Sequence, residues 1–186
     1  MGQSSKNGFF RALPAALLVA GVCALPAAHA ADGTITVNGE ISGTTCTISG
    51  NGGGKDFTVA LPEVLASTLG SAGAKSGETP FNISLTNCQP NSGKVWTYFE
   101  PGTTVNTATG QLKNSSGTAA NVEVGLFNKD GSAIKLGAGS PSQNSKQVDI
   151  VAGAAKLEYV AQYVATAGGA GAGSVNTSVL YSLEYQ

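Results

Sequence analysis

A fold made of β-strands alone, closed into a sandwich or barrel, is what this sequence predicts. Three observations carry that reading. Short runs rich in Val, Ile, Thr, Phe and Tyr recur along the chain, each ended by Gly, Asn, Ser or Pro. No long stretch repeats its apolar residues at the helical period, and EVLASTL (63–69) has room for a turn or two at most. Beyond the first thirty residues two cysteines remain, Cys46 and Cys88. With Trp96 they suggest an immunoglobulin-like sandwich, although their spacing is not the antibody pattern.

The elements follow in order. ADGTITVNGEISGTTC (31–46) alternates, with Gly33, Ile35, Val37, Gly39 and Ile41 on one face and Thr34, Thr36, Asn38, Glu40 and Ser42 on the other. DFTVALPEV (56–64) leads into a flexible crossing, and FNISLTNC (81–88) alternates again through Phe81, Ile83 and Leu85. KVWTYFEP (94–101) comes next. VEVGLFNKDGSAIKL (122–136) reads as a hairpin turning at Asn128–Gly131, where an Asp-Gly step supplies the turn. QVDIVAG and LEYVAQYVAT are two more runs. The linker-like AGGAGAG (167–173) precedes SVNTSVLYSLEYQ, in which Val175, Thr177, Val179, Tyr181, Leu183 and Tyr185 share one face. Both ends of the domain are thus well patterned strands, where chain ends are ordinarily loosely held.

Residues 1–30 read as a secretory leader. Lys6 and Arg11 precede an apolar run, and Ala28-His29-Ala30 is a small-x-small cleavage signal. The remaining 156 of 186 residues, one domain's worth, hold eight lysines and eleven carboxylates, a net charge of −3. That balance argues against nucleic acid and anionic lipid as partners. Cys46 and Cys88 are expected to form a disulfide, as an even pair in an exported protein. A metal or redox site would want a close CxxC pair or histidines, so none is expected.

Enzymatic function is the least supported class. The only histidine, His29, lies in the leader, which removes Ser-His-Asp and Cys-His arrangements. Glu123, Asp149, Glu158 and Glu184 fall in expected strands and read as solvated outer-face residues. GNGGGK (50–55) lacks the spacing and the following helix of a phosphate-binding loop. Trp96 and Tyr98, two apart on a strand, read as core residues. The competing reading is a self-contained secreted sandwich that binds carbohydrate through Trp96 and its neighbours.

These residues resemble the pilin subunits of chaperone–usher (type 1-like) fimbriae of Gram-negative bacteria. GTITVNGEISGTTCTI is similar to that family's N-terminal extension and first strand, and GETPFNISLTNC to the stretch ending in its second cysteine. Tyr185 is the penultimate residue and Gly173 stands fourteenth from the C-terminus, which resembles the family's chaperone-recognition signature. FEPG (99–102) looks closest to the Bordetella-type fimbrial subunits.

The resemblance implies an immunoglobulin-like fold lacking its final strand, with an N-terminal donor-strand extension. Residues 1–30 would be the signal peptide, 31–38 the extension and 39–186 the pilin domain. Gly33, Ile35, Val37 and Gly39 would face a neighbour's groove. Gly173, Val175, Val179, Tyr181, Leu183 and Tyr185 would form the strand that pairs with the chaperone and lines the acceptor groove. The implied partners are a periplasmic chaperone, an outer-membrane usher and neighbouring pilin subunits, with no cofactor. The implied role is a structural shaft subunit, or a minor or adaptor pilin of the same system, exported through the periplasm to the cell surface.

Overall fold

Alternation between buried and accessible positions organises the observed chain. The structure, a computed structural model, describes residue 43 and residues 45–186. Nine strands occur among them: β1 (Thr45–Gly50), β2 (Lys75–Gln89), β3 (Gly93–Phe99), β4 (Val105–Asn106), β5 (Gln111–Lys113), β6 (Val122–Asn128), β7 (Val148–Ile150), β8 (Ala155–Ala165) and β9 (Tyr181–Tyr185). The stretch 63–69, expected to manage a turn or two, forms a single 3₁₀ turn at Ala66–Leu69. The all-β expectation holds.

Two sheets form. The larger runs β1-β2-β8-β6-β5-β4 and the smaller β7-β3-β9. In β2, Phe81, Ile83 and Leu85 point inward, opposite Tyr159, Leu157 and Ala155 of β8. The Phe81 and Tyr159 rings lie 5.4 Å apart, and Phe99 of the small sheet meets Tyr159 edge-on at 5.5 Å. Val95, Phe99 and Ile150 close the core from the small sheet. Burial of each such side chain contributes roughly 1.5–3 kcal/mol. Cys46 and Cys88 form the expected disulfide, joining β1 to the end of β2. Closing a loop of this length stabilises the chain by about 4 kcal/mol in the chain-entropy description.

Three sequence expectations are corrected. Trp96 and Tyr98 do not enter the core. Val95, Thr97 and Phe99 take the inward positions of β3, and strand alternation leaves Trp96 and Tyr98 half-buried on the outer face. There the Trp96 indole N–H donates to Ser140 Oγ at 3.1 Å, and the Ser140 hydroxyl donates in turn to Glu184. Glu123 is not solvated. It is buried, and its carboxylate accepts from Asn106 Nδ2 at 2.6 Å and Thr109 Oγ1 at 2.7 Å.

The third correction is the hairpin at 122–136, which is only partial. The turn forms as expected at Asn128–Gly131, but the returning arm makes one isolated bridge, Phe127 to Ala133. β6 is paired instead with β5 and β8. Ile134 and Leu136 turn down into the core, so burial outcompetes continued pairing.

β7 covers only the first part of β3. It pairs with Gly93, Lys94 and Val95 and stops. Further along, the buried Gln143 side chain substitutes for a strand, accepting from Phe99 N at 2.8 Å and donating to Phe99 O at 2.9 Å. The opposite edge of β3 is occupied along its length by β9.

Candidate functional site

The last thirteen residues form one extended line along the small sheet. β9 lies antiparallel to β3, with Tyr185, Leu183 and Tyr181 beside Val95, Thr97 and Phe99. Upstream, 174–180 continues the same line without forming a ladder. Its exposure alternates strictly. Val175, Thr177 and Val179 are half-buried, while Ser174, Asn176, Ser178 and Leu180 are exposed.

Backbone bonding in this segment runs through the even-numbered residues. Ser174 O accepts from Ala119 N at 3.0 Å, Asn176 O from Ser115 N at 3.0 Å, and Leu180 O from Glu100 N at 2.8 Å. Ser178 O accepts from Thr104 Oγ1 at 2.7 Å. Gln186 exchanges two bonds with Lys94. Successive residues of an extended chain direct their N–H and C=O groups to opposite sides. The odd-numbered backbone groups, from 175 to 185, therefore face the other edge. Among the described residues no strand pairs there.

A second extended segment faces that edge. Phe57, Val59 and Leu61 are half-buried, alternate with exposed residues, and belong to no ladder. They pack on the same core as Val175, Val179, Tyr181, Leu183 and Tyr185. The walls meet at two points. The Phe57 and Tyr181 rings stand edge-to-face at 6.3 Å, and the Tyr181 hydroxyl donates to Lys55 O at 2.7 Å. Val64 and Val175 pack on one small cluster around Leu69, Val122 and Ala165. Beside them opens a cavity of about 170 Å³, lined also by Ala119 and Tyr163.

The groove is apolar with isolated polar tips. Thr177 Oγ1 is buried and has no hydrogen-bond partner among the described residues. Burial pushes the Tyr185 phenol above its ordinary pKa. Tyr181 moves the same way, through burial first and then the charge of Asp56. Both phenols are thus neutral donors at physiological pH. A row of half-buried apolar side chains, beside backbone groups that pair with no strand among the described residues, is suited to pairing with an added β-strand.

Gly173 sits at the head of this wall for a steric reason. Its φ is 153°, and a Cβ there would stand 2.5 Å from Thr118 Oγ1 and 2.6 Å from Ala119 N. The acceptor residues named from sequence, Gly173 through Tyr185, are therefore brought into one line. The donor residues Gly33, Ile35, Val37 and Gly39 lie outside the described residues, as does the leader. The opposite wall, Phe57 to Val64, was absent from the sequence-derived site, although the alternation of FTVALPEV carried its signal.

The family model described as "FimA: Type-1 fimbrial protein, A" matches residues 61–186. The chain belongs to this fimbrial family. It is 48% identical over 165 residues to the major fimbrial subunit SMF-1 of Stenotrophomonas maltophilia, covering 86% of this chain and 95% of that one. The F17 fimbrial protein of Escherichia coli is 40% identical over 161 residues, covering 83% and 88%. The Bordetella resemblance is also found, at a lower level. The serotype 2 fimbrial subunit of Bordetella pertussis is 32% identical over 202 residues, covering 95% and 98%. Among solved structures, the P pilus rod subunit PapA shares the fold with a TM-score of 0.53 and 20% identity, covering 82% of this chain and all of PapA. The chain is therefore a fimbrial subunit with a pilin fold, and its place is the surface of a Gram-negative bacterium.

Proposed function

We propose that this fimbrial subunit forms the pilus shaft and polymerises by donor-strand exchange. The observation that carries the reading is the edge of 175–185, on which no strand pairs among the described residues, beside the unladdered segment 57–61 over a shared apolar core. Residues 31–38 of one copy, continued by Gly39, fill the groove of the next. Ile35 and Val37 supply the apolar contacts, each contributing roughly 1.5–3 kcal/mol on burial. New backbone bonds to the odd-numbered residues add on the order of 1 kcal/mol apiece. Gly33 and Gly39 allow close backbone approach.

The division of the chain follows the same reading, with a leader at 1–30, a donor extension at 31–38 and a pilin domain at 39–186. Before assembly a periplasmic chaperone lends a strand to the same edge, because a bare edge above an apolar core invites aggregation. An outer-membrane usher hosts the exchange. The work is mechanical assembly, with no reaction catalysed. The identity to the subunit named as major in Stenotrophomonas maltophilia favours the shaft over a minor position.

The test is to express the chain with 31–38 deleted and, separately, with Ile35→Asp, and to examine surface fibres by electron microscopy. Both variants are expected to give no fibres while remaining soluble with the chaperone. Normal fibres from both would overturn the reading.

A further inference from the structure

A second cavity, of about 260 Å³, opens where β6 ends. β6 pairs with β8 as far as Asn128 opposite Tyr159, and its chain then turns away at Asn128–Gly131. Val148 of β7 lines the other side, which sets the cavity between the two sheets. No residue of 174–186 lines it, so the site is separate from the acceptor edge and does not rest on the donor-strand reading.

Charge is concentrated on this lining. Lys129, Lys146 and Lys156 are three of the eight lysines in 31–186, and Asp130 and Glu158 accompany them. The surplus is one positive charge, in a domain whose net charge is −3. The pairing is uneven. Lys146 is bonded to Asp130, while Glu158 is shared, with Lys129 at 2.7 Å and Lys156 at 3.4 Å. Lys156 is thus the least engaged of the three ammoniums. The three lysine side chains are 57–72% exposed. Exposed ion pairs contribute so little that an incoming anion can rearrange them.

The frame beneath these charges is fixed. Asn128 is buried, its Nδ2 donates to Ser132 Oγ at 3.0 Å and to Asn144 O at 2.8 Å, and its Oδ1 accepts from Lys146 N at 3.1 Å. Lys129 N donates to Glu158 O at 3.2 Å. Val148, Leu157 and Tyr159 supply the apolar part of the lining. A ligand matched to these groups carries one anionic group for the ammoniums, hydroxyls that donate to the two carboxylates, and a carbon face. The volume lies below the roughly 300–1,000 Å³ typical of sites for drug-sized ligands, which suits a single ring. We infer that the cavity binds a monoanionic sugar of the hexuronate class. One such site is weak, and a fibre that repeats the subunit presents it many times, which raises avidity without any new contact.

Saturation-transfer NMR on purified fibres, with glucuronate and glucose as probes, tests the site. Glucuronate is expected to give signal, and glucose much less at equal concentration, because glucose lacks the carboxylate. Lys156→Ala is expected to weaken glucuronate binding roughly 2- to 5-fold, the range of one exposed charge pair. Glu158→Gln keeps an acceptor oxygen but removes the charge that competes for Lys129 and Lys156, so it is expected to tighten binding by a similar factor. A merely structural role for Glu158 would produce no such gain. No signal from glucuronate, equal signals from the two sugars, or Glu158→Gln fibres that bind no more tightly than wild type would each overturn the site. Inorganic sulfate that competes as well as glucuronate itself would overturn the assignment to a sugar.

Discussion

Gly173 passes Ala119 so closely that a Cβ on the glycine would lie 2.6 Å from the Ala119 backbone nitrogen. The same passage is tied by Ala119 N donating to Ser174 O and by Ser174 N donating to Thr118 Oγ1 at 3.0 Å. The glycine of the Gly/Tyr signature thus has a role inside the subunit, independent of any chaperone. It lets the groove wall dock on the 114–119 segment.

Substituting that glycine tests the point. Gly173→Ala places a side chain at φ 153° and into the Thr118–Ala119 backbone. Strain and overpacking together are expected to cost about 2–4 kcal/mol. Urea unfolding of the donor-complemented subunit is the measurement, because no chaperone is present in it. An unchanged midpoint would show that this close approach does not require glycine.

Glu123 offers a second prediction. Its carboxylate satisfies both Asn106 Nδ2 and Thr109 Oγ1 on the outer side of β6. Glu123→Ala strands both donors and is expected to destabilise the subunit by about 1–3 kcal/mol. Glu123→Gln keeps an acceptor and should cost less. Thermal unfolding of the two variants distinguishes them, and equal losses would show that the acceptor is immaterial.

The pH dependence of stability is expected to be asymmetric. Burial raises the phenols of Tyr159, Tyr163, Tyr181 and Tyr185 above their ordinary value of 10.0. The unfolded chain then loses these protons first as pH rises, so their contribution is complete below about pH 10 and falls away above it. On the acid side, the Lys146 ammonium bonded to Asp130, aided by Ser132, holds that carboxyl well below its usual range. The Lys129 ammonium bonded to Glu158 lowers that carboxyl too. These contributions are present above pH 4–5, near the ordinary carboxylate values, and are lost as pH falls through the depressed folded values. Both pairs lie at the surface, so the acid loss should be shallow. Unfolding midpoints measured between pH 2 and pH 11.5 check the contrast, and a steep acid limb with a flat alkaline one would contradict it.

Much of this protein could be read from alternation alone. Strand periodicity put Phe81, Ile83 and Leu85 inward and put Val175 through Tyr185 on one face, because side chains of an extended chain must alternate. The Cys46–Cys88 bridge followed from cysteine count and expected export. The reading failed where two rules competed. Size favours an aromatic core, yet Val95, Thr97 and Phe99 took the inner face of β3, and the phase of one strand is chosen by its neighbours. Charge favours solvent, yet Glu123 is buried because Asn106 and Thr109, both distant in sequence, were brought to it.

The sequence by itself determined that the chain is all-β, that both its ends are patterned strands, and which family it resembles. Local periodicity and composition are enough for that, since each is written within a few residues. Only the tertiary structure decided that no strand among the described residues pairs with the outer edge of β9, that Phe57, Val59 and Leu61 pack on the same core, and that the Tyr181 hydroxyl meets Lys55 O. Those facts depend on segments more than a hundred residues apart meeting across one core, and no local pattern encodes the distance between them.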